Sequence, residues 1–185
     1  PRDPILGLNE QFNADTNPSK VNLGVGVYFD DNGKLPLLEC VQKAEDALMA
    51  KPTPRGYLPI DGIAAYDSAV KALVFGAESD VVQSGRVSTV QAIGGTGGLK
   101  IGADFLKKVS PNAKVLISDP SWENHRAIFQ NAGFEVGNYR YYAAATRSID
   151  FDGMLADLQA AAPGTIVVLH ACCHNPTGYD ITPAQ

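Results

Sequence analysis

Three short stretches of this chain hold residue types that could do chemistry. In the first, Gly94-Gly95-Thr96-Gly97-Gly98, four glycines surround one threonine. Ahead of a helix, the backbone N–H groups of such a run converge on an anion at the helix's positive end, and the Thr96 hydroxyl adds a donor. The spacing is not that of a P-loop, because no Gly-Lys-Ser/Thr follows, nor that of the G-x-G-x-x-G dinucleotide fingerprint. A tight strand-to-helix turn without a ligand is the competing reading.

The second stretch is Asp119-Pro120-Ser121-Trp122-Glu123-Asn124-His125. Trp122, the single tryptophan, could lay its indole on a planar ring or fill a core. His125, one helical turn on, reaches the same place or serves as a packed core histidine. Asp119 must be extended before its proline, and the Asp119–Pro120 bond is a candidate for cis.

The third runs from His170 to Gly178 and reads HACCHNPTG. If strand alternation persisted, His170, Cys172 and His174 would share a face, which raises a zinc site as an alternative. Three ligands within five residues of extended chain cannot all reach one tetrahedral ion. The favoured reading has Asn175, fixed by Pro176 and turned by Gly178, aim its amide at a ligand oxygen, and a bare Asn-Pro turn is the alternative.

Such segments need strands that end just before them. Strand-like Val87–Ile93 precedes the glycines, strands at 114–118, 134–142 and 165–171 follow, and helices are expected at 99–109, 122–132 and 152–161. Two of these strands, Lys114–Ser118 and Thr165–Leu169, are near-continuous apolar runs, as expected of strands covered on both faces. The alternation predicts an α/β domain with a mostly parallel sheet, whose ligands lie beyond the carboxyl ends of its strands. Upstream, Val21–Tyr28 is a short apolar stretch broken by Gly24 and Gly26. Helices are expected over about 37–50 and from near Asp61 to Phe75. Thr182, Pro183 and Gln185 form a capping box, which reads as the start of a helix belonging to a longer polypeptide.

Composition narrows the function. The 185 residues are 45% hydrophobic and 19% charged, with a net charge of -5, so disorder and a basic nucleic-acid footprint are both excluded. The low charged fraction points to surface covered by other protein. No apolar run reaches membrane-spanning length, and the opening residues have no signal-peptide pattern, so a cytoplasmic protein is expected. Three cysteines, two of them adjacent, are expected to be reduced.

Together the three stretches, with Asp3–Leu8, Val21–Tyr28 and Tyr57–Gly62, resemble the class I aminotransferases, specifically their aspartate and aromatic amino-acid branch. Trp122-Glu123-Asn124-His125 and Gly133-Phe134-Glu135-Val136 are similar to the bacterial aromatic (tyrosine) enzymes. The resemblance implies the N-terminal part of a fold type I large domain over 36–185, preceded by an arm and small-domain segment over 1–35. It implies pyridoxal 5'-phosphate as cofactor, an aromatic or acidic amino acid and a 2-oxo acid as substrates, and a homodimer, with no membrane or nucleic-acid partner.

By the same resemblance, Gly94, Gly95 and Thr96 would bind the cofactor phosphate, and Trp122 would stack on the pyridine ring and contact substrate. Asn175 would donate to the ring's phenolic oxygen and to the substrate carboxylate. Gly26 would contact substrate, and Tyr57 would reach the phosphate bound by the other subunit. His125 and His170 would stand behind the ring, with His125 supporting the carboxylate that pairs with the pyridinium nitrogen. Both Asp119–Pro120 and Asn175–Pro176 would be cis. The family's cofactor-holding lysine, its pyridinium aspartate and its specificity arginines match no position here, so no residue of this chain is expected to be catalytic. Lys100 is not taken as that lysine. An inert chain that only binds phosphate or cofactor is the alternative function.

Overall fold

A computed structural model describes residues 6–24 and 26–185, which divide into two compact units meeting at Gly56–Tyr57. The first holds α1 (Leu6–Ala14) and α2 (Glu39–Ala50). Lys20 Nζ donates to the carbonyls of Phe12 and Asp15, each at 2.6 Å, and sits 4.5 Å above the Phe12 ring. That places a cation where the last helical carbonyls lack partners. No strand forms among the described residues of 21–28. Gly24 serves a turn, its N donating to Asn22 Oδ1 at 2.9 Å, while a side chain at Gly26 would meet open space. Residues 1–5, and Val25 within the apolar stretch, lie outside the described residues.

The second unit opens with α3 (Ala64–Phe75) and α4 (Asp80–Gln83), then continues through α5 (Gly94–Val109), β1 (Lys114–Asp119), α6 (Glu123–Asn131), β2 (Glu135–Arg140), β3 (Tyr142–Ala143), β4 (Ser148–Ile149), α7 (Phe151–Ala160) and β5 (Ile166–Val167). A parallel sheet has the order β2-β1-β5, with Lys114 opposite Glu135 at one end, Asp119 opposite Arg140 at the other, and Val115 opposite Ile166. β3 and β4 form a separate antiparallel pair.

Central β1 explains the core. Val115 (0% exposed) and Ile117 (3%) pack with Ala103 of α5 and with Ile128 and Phe129 of α6. On the second side Tyr139, Tyr141 and Met154 pack with Leu116, Leu158 and Val167. A sheet covered on both faces, with apolar residues at consecutive positions, is the expected α/β arrangement. Among the capping interactions, Asp150 caps α7: its carboxylate accepts from Gly153 N at 2.9 Å and occupies the space a side chain at Gly153 would need.

Four expectations are corrected. Val87–Ile93 is not a strand: burial alternates along Val87–Gln91, but no strand pairs with it among the described residues, and Gln91 N donates instead to Asp61 O at 2.9 Å. The expected strand 165–171 pairs only at Ile166–Val167, and 134–142 breaks at Tyr141 into β2 and the β3 hairpin. The glycines 94–98 are not a loop ahead of a helix but the first turns of α5 itself. Apolar side chains of α3, of α5 and of residues 87–92 leave an open groove lined by Val74, Phe75, Val90, Ile101 and Phe105. At the other end of the unit, Gln185 N donates to Thr182 Oγ1 and Thr182 N to Gln185 Oε1, as a capping box requires.

Candidate functional site

From central β1 the chain crosses to β2 on one side and later to β5 on the other, so the order reverses at β1 and opens a crevice past its carboxyl end. The loops following β1 and β5 meet there. Ser118 Oγ lies 2.8 Å from His174 Nε2, although 56 residues separate them, and both side chains are buried (1% and 2% exposed).

All three histidines of the chain join in one row of rings. Trp122 meets His125 edge-on at 5.2 Å, His125 meets His170 at 5.1 Å, His170 meets His174 at 4.3 Å, and the row ends against Tyr141. Each imidazole is held below its ordinary pKa. For His125 the causes are burial and then the charge of His170; for His170, burial outweighs the opposing pull of Asp180. His174 falls furthest, to about 4, through burial and then repulsion from His170. All three are therefore neutral near pH 7.

Their polar atoms are unequally used. His125 Nδ1 pairs with Ser121 Oγ at 2.9 Å, and His174 pairs through both nitrogens, with Ser118 and, at 2.7 Å, with Thr177 Oγ1. His170 Nδ1 is buried with no partner among the described residues. An orphaned buried nitrogen is costly unless something else meets it, which marks this edge of the row as incomplete within the chain.

Asn175 follows His174 and is presented by a clasp. Asp180 accepts from Cys173 N at 2.7 Å and from His174 N at 2.8 Å, which holds its carboxyl below the usual range. Gly178 N closes onto His174 O at 2.7 Å, and Gly178 takes φ +69. Asn175–Pro176 is cis, as is Asp119–Pro120. The Asn175 side chain is exposed and makes no hydrogen bond among the described residues, so both ends of its amide remain free.

The glycines complete the set. A short turn joins α5 to β1, so the two run antiparallel and the N-terminus of α5 stands at the same end of the sheet as Asp119. No side chain caps that terminus, Thr96 is exposed, and a side chain at Gly94 or Gly95 would meet no protein atom within 4 Å. The residues therefore suit a phosphate: the helix-terminal N–H groups of Gly95 and Thr96, a hydroxyl, and space that no protein atom fills, while Gly94 N already donates to Ala92 O at 3.1 Å.

Trp122, His125 and His170 are thus brought together, with Asn175 next in sequence to His174 of the same row and Gly94–Thr96 at the same end of the sheet. Tyr57 is fully exposed at the start of this unit, and Gly26 belongs to the other unit. The strand alternation behind the zinc alternative does not persist, since Cys172 and Cys173 are exposed thiols and His174 has no free nitrogen. Among the described residues, no group of three His, Cys, Asp or Glu side chains could hold a metal ion, and no helix is long and apolar enough to cross a membrane. Lys100 pairs with Asp104 on the exposed flank of α5. Reading the sequence undervalued His174, Thr177, Ser118 and Asp180. The only local signal was the spacing of Thr177 and Gly178 after His174, since Ser118 is distant in sequence.

Comparison with known proteins gives a consistent picture. The family model described as aminotransferase class I and II matches residues 18–185. An aspartate aminotransferase of Pseudomonas aeruginosa is 64% identical over 181 residues, and a tyrosine aminotransferase of Klebsiella pneumoniae 48% over 184, covering 98% and 99% of this chain. The crystal structure of an aromatic-amino-acid aminotransferase from Burkholderia pseudomallei, covalently bound to pyridoxal phosphate, superposes with a TM-score of 0.89 at 66% identity over the whole chain. In each case the chain spans 46% of the relative's length.

Proposed function

The chain belongs to the class I and II aminotransferases, and on that premise we propose that the protein moves an amino group between an aromatic or acidic L-amino acid and a 2-oxo acid such as 2-oxoglutarate. When bound, pyridoxal 5'-phosphate would supply the electron sink and the carrier of the amino group. The observation that carries this reading is the uncapped, glycine-lined start of α5 at the same sheet end as the Trp122 and Asn175 loops.

Gly95 and Thr96 would hold the phosphate through N–H and hydroxyl donors, with Gly94 beside them leaving space for it. Trp122 would cover one face of the ring, and its edge contact with His125 restrains the indole. Asn175 would donate to the ring's phenolic oxygen and to the substrate carboxylate, for which its unpaired amide is suited. Gly26 would line the substrate's approach, and Tyr57 would reach the phosphate bound by a second subunit, making the site a property of a homodimer. His125, neutral and oriented by Ser121, would support the carboxylate that faces the ring nitrogen, while His170 would offer its unpartnered Nδ1 nearby.

We assign 1–35 to an arm and small-domain segment and 36–185 to the cofactor-binding domain of a cytoplasmic enzyme. The covalently acting lysine and the specificity arginines would belong to the other half of the relatives' length. Residues 1–185 alone would bind phosphate or cofactor without turnover.

The test is purification of the full-length protein with pyridoxal phosphate and assay of amino transfer from tyrosine, phenylalanine and aspartate to 2-oxoglutarate. Cofactor absorbance and transfer from at least one donor are expected. A full-length protein that binds the cofactor but transfers from none of the three would sink the reading.

A further inference from the structure

We infer that His174 is a positioning residue that, as the neutral Nε2–H tautomer, ties the loop presenting Asn175 to the loop presenting Trp122. The assignment of those two residues to a ligand rests on the aminotransferase reading, whereas the bridge itself rests on proton counting. Ser118 has one hydroxyl proton, and it goes to Pro120 O at 2.9 Å. At 2.8 Å from His174 Nε2, Ser118 Oγ can then only accept, so Nε2 carries the ring proton.

The other nitrogen agrees. Thr177 Oγ1 accepts from Tyr179 N at 3.2 Å and directs its own proton to His174 Nδ1 at 2.7 Å. One continuous series results: Tyr179 N–H to Thr177, Thr177 to His174, His174 to Ser118, Ser118 to Pro120. It begins in the Asn175 loop and ends in the backbone two residues before Trp122. A second proton on His174 would leave the Thr177 hydroxyl proton without an acceptor. The surroundings point the same way, because the ring is enclosed by Tyr141 and His170, and the facing carboxylate of Asp180 is engaged by backbone N–H groups.

Two readouts on the full-length protein decide the matter. Selective nitrogen-15 labelling of histidine should show His174 protonated at Nε2 alone at neutral pH and still neutral near about pH 5. Protonation at Nδ1, or titration near the free-histidine value, overturns the inference. In the second readout, Ser118→Ala and Thr177→Val are each expected to weaken pyridoxal-phosphate binding roughly tenfold, and together by far less than the product, because both cut one bridge. Losses that multiply independently, or unchanged affinity in both folded variants, overturn it. His174→Gln, which keeps a donor able to reach toward Ser118, should retain more affinity than His174→Phe. If the wild-type protein binds no cofactor, the aminotransferase reading fails, and the tautomer measurement alone, which needs neither variant nor ligand, decides the bridge.

Discussion

The rings of Tyr141 and His174 lie face to face, with centroids 4.0 Å apart and planes 15° from parallel. That stack, with His170 on another side, keeps water from an imidazole whose nitrogens are already paired. A proton added there must displace a hydrogen bond and remain charged in an apolar setting.

Stability should therefore fall on acidification. The unfolded chain takes up a proton on His174 near 6.5, the folded chain only near about 4. Between those values the unfolded state binds more protons, so stability present above pH 6.5 is lost as pH falls toward 4. His174 alone contributes roughly 3 kcal/mol over that range, and His125 and His170 act in the same direction. Thermal midpoints of the full-length protein between about pH 7 and 5 test this. A flat profile would remove the burial argument for all three rings.

Gly95→Ala should separate folding from ligand binding. The added methyl meets no protein atom within 4 Å, so the thermal midpoint is expected to hold while pyridoxal-phosphate affinity falls about tenfold or more. Gly94→Ala differs, because φ there is +64 and a side chain costs about 1–2 kcal/mol of backbone strain. Equal affinity for wild type and Gly95→Ala in a titration would place the phosphate elsewhere.

Gly62→Ala should destabilise without touching the site. Gly62 is buried at φ +101, and a side chain would fall inside that of Gln91, whose Oε1 accepts from Ile63 N at 3.1 Å and whose N donates to Asp61 O at 2.9 Å. Clash and strain together predict a loss of about 2–4 kcal/mol. A denaturation midpoint within experimental error of wild type would contradict this.

Residues 1–185 produced alone should associate. Phe105 is 62% exposed, Leu73 85% and Ile93 94%, and the groove between α3 and α5 is open. Surfaces of this kind self-associate or take up apolar dyes. Size-exclusion chromatography should show aggregates for the isolated segment and a defined oligomer for the full-length protein, and a soluble dye-negative monomer of the segment would refute it.

Much of the sheet was legible because burial on both faces writes itself as consecutive apolar residues, as in Lys114–Ser118. The helices α6 and α7 followed from their spacing. Val87–Gln91 misled because it is rich in β-branched residues but no strand pairs with it here, and pairing is not a local property. The glycines 94–98 read as a loop because glycine is a poor helix former, yet tertiary contacts from Leu99 onward carry α5 back through them. Trp122, His125 and His170 were found from their positions after strands. His174 was read chiefly as a doubtful metal ligand, because its meaning lies in Ser118, a residue that spacing cannot connect to it.

Asp150 and Gly153 make one choice, not two. A methyl at 153 would expel the Asp150 carboxylate, losing a cap worth about 1 kcal/mol, but alanine regains up to about 1 kcal/mol over glycine within a helix. The exchange is close to neutral, yet its order matters. Once Asp150 has been replaced, alanine at 153 brings only gain, and restoring aspartate then regains little. Along a lineage, a near-neutral step to alanine at 153 would release position 150 from its need for aspartate, so glycine at 153 should accompany aspartate at 150 more often than alanine does.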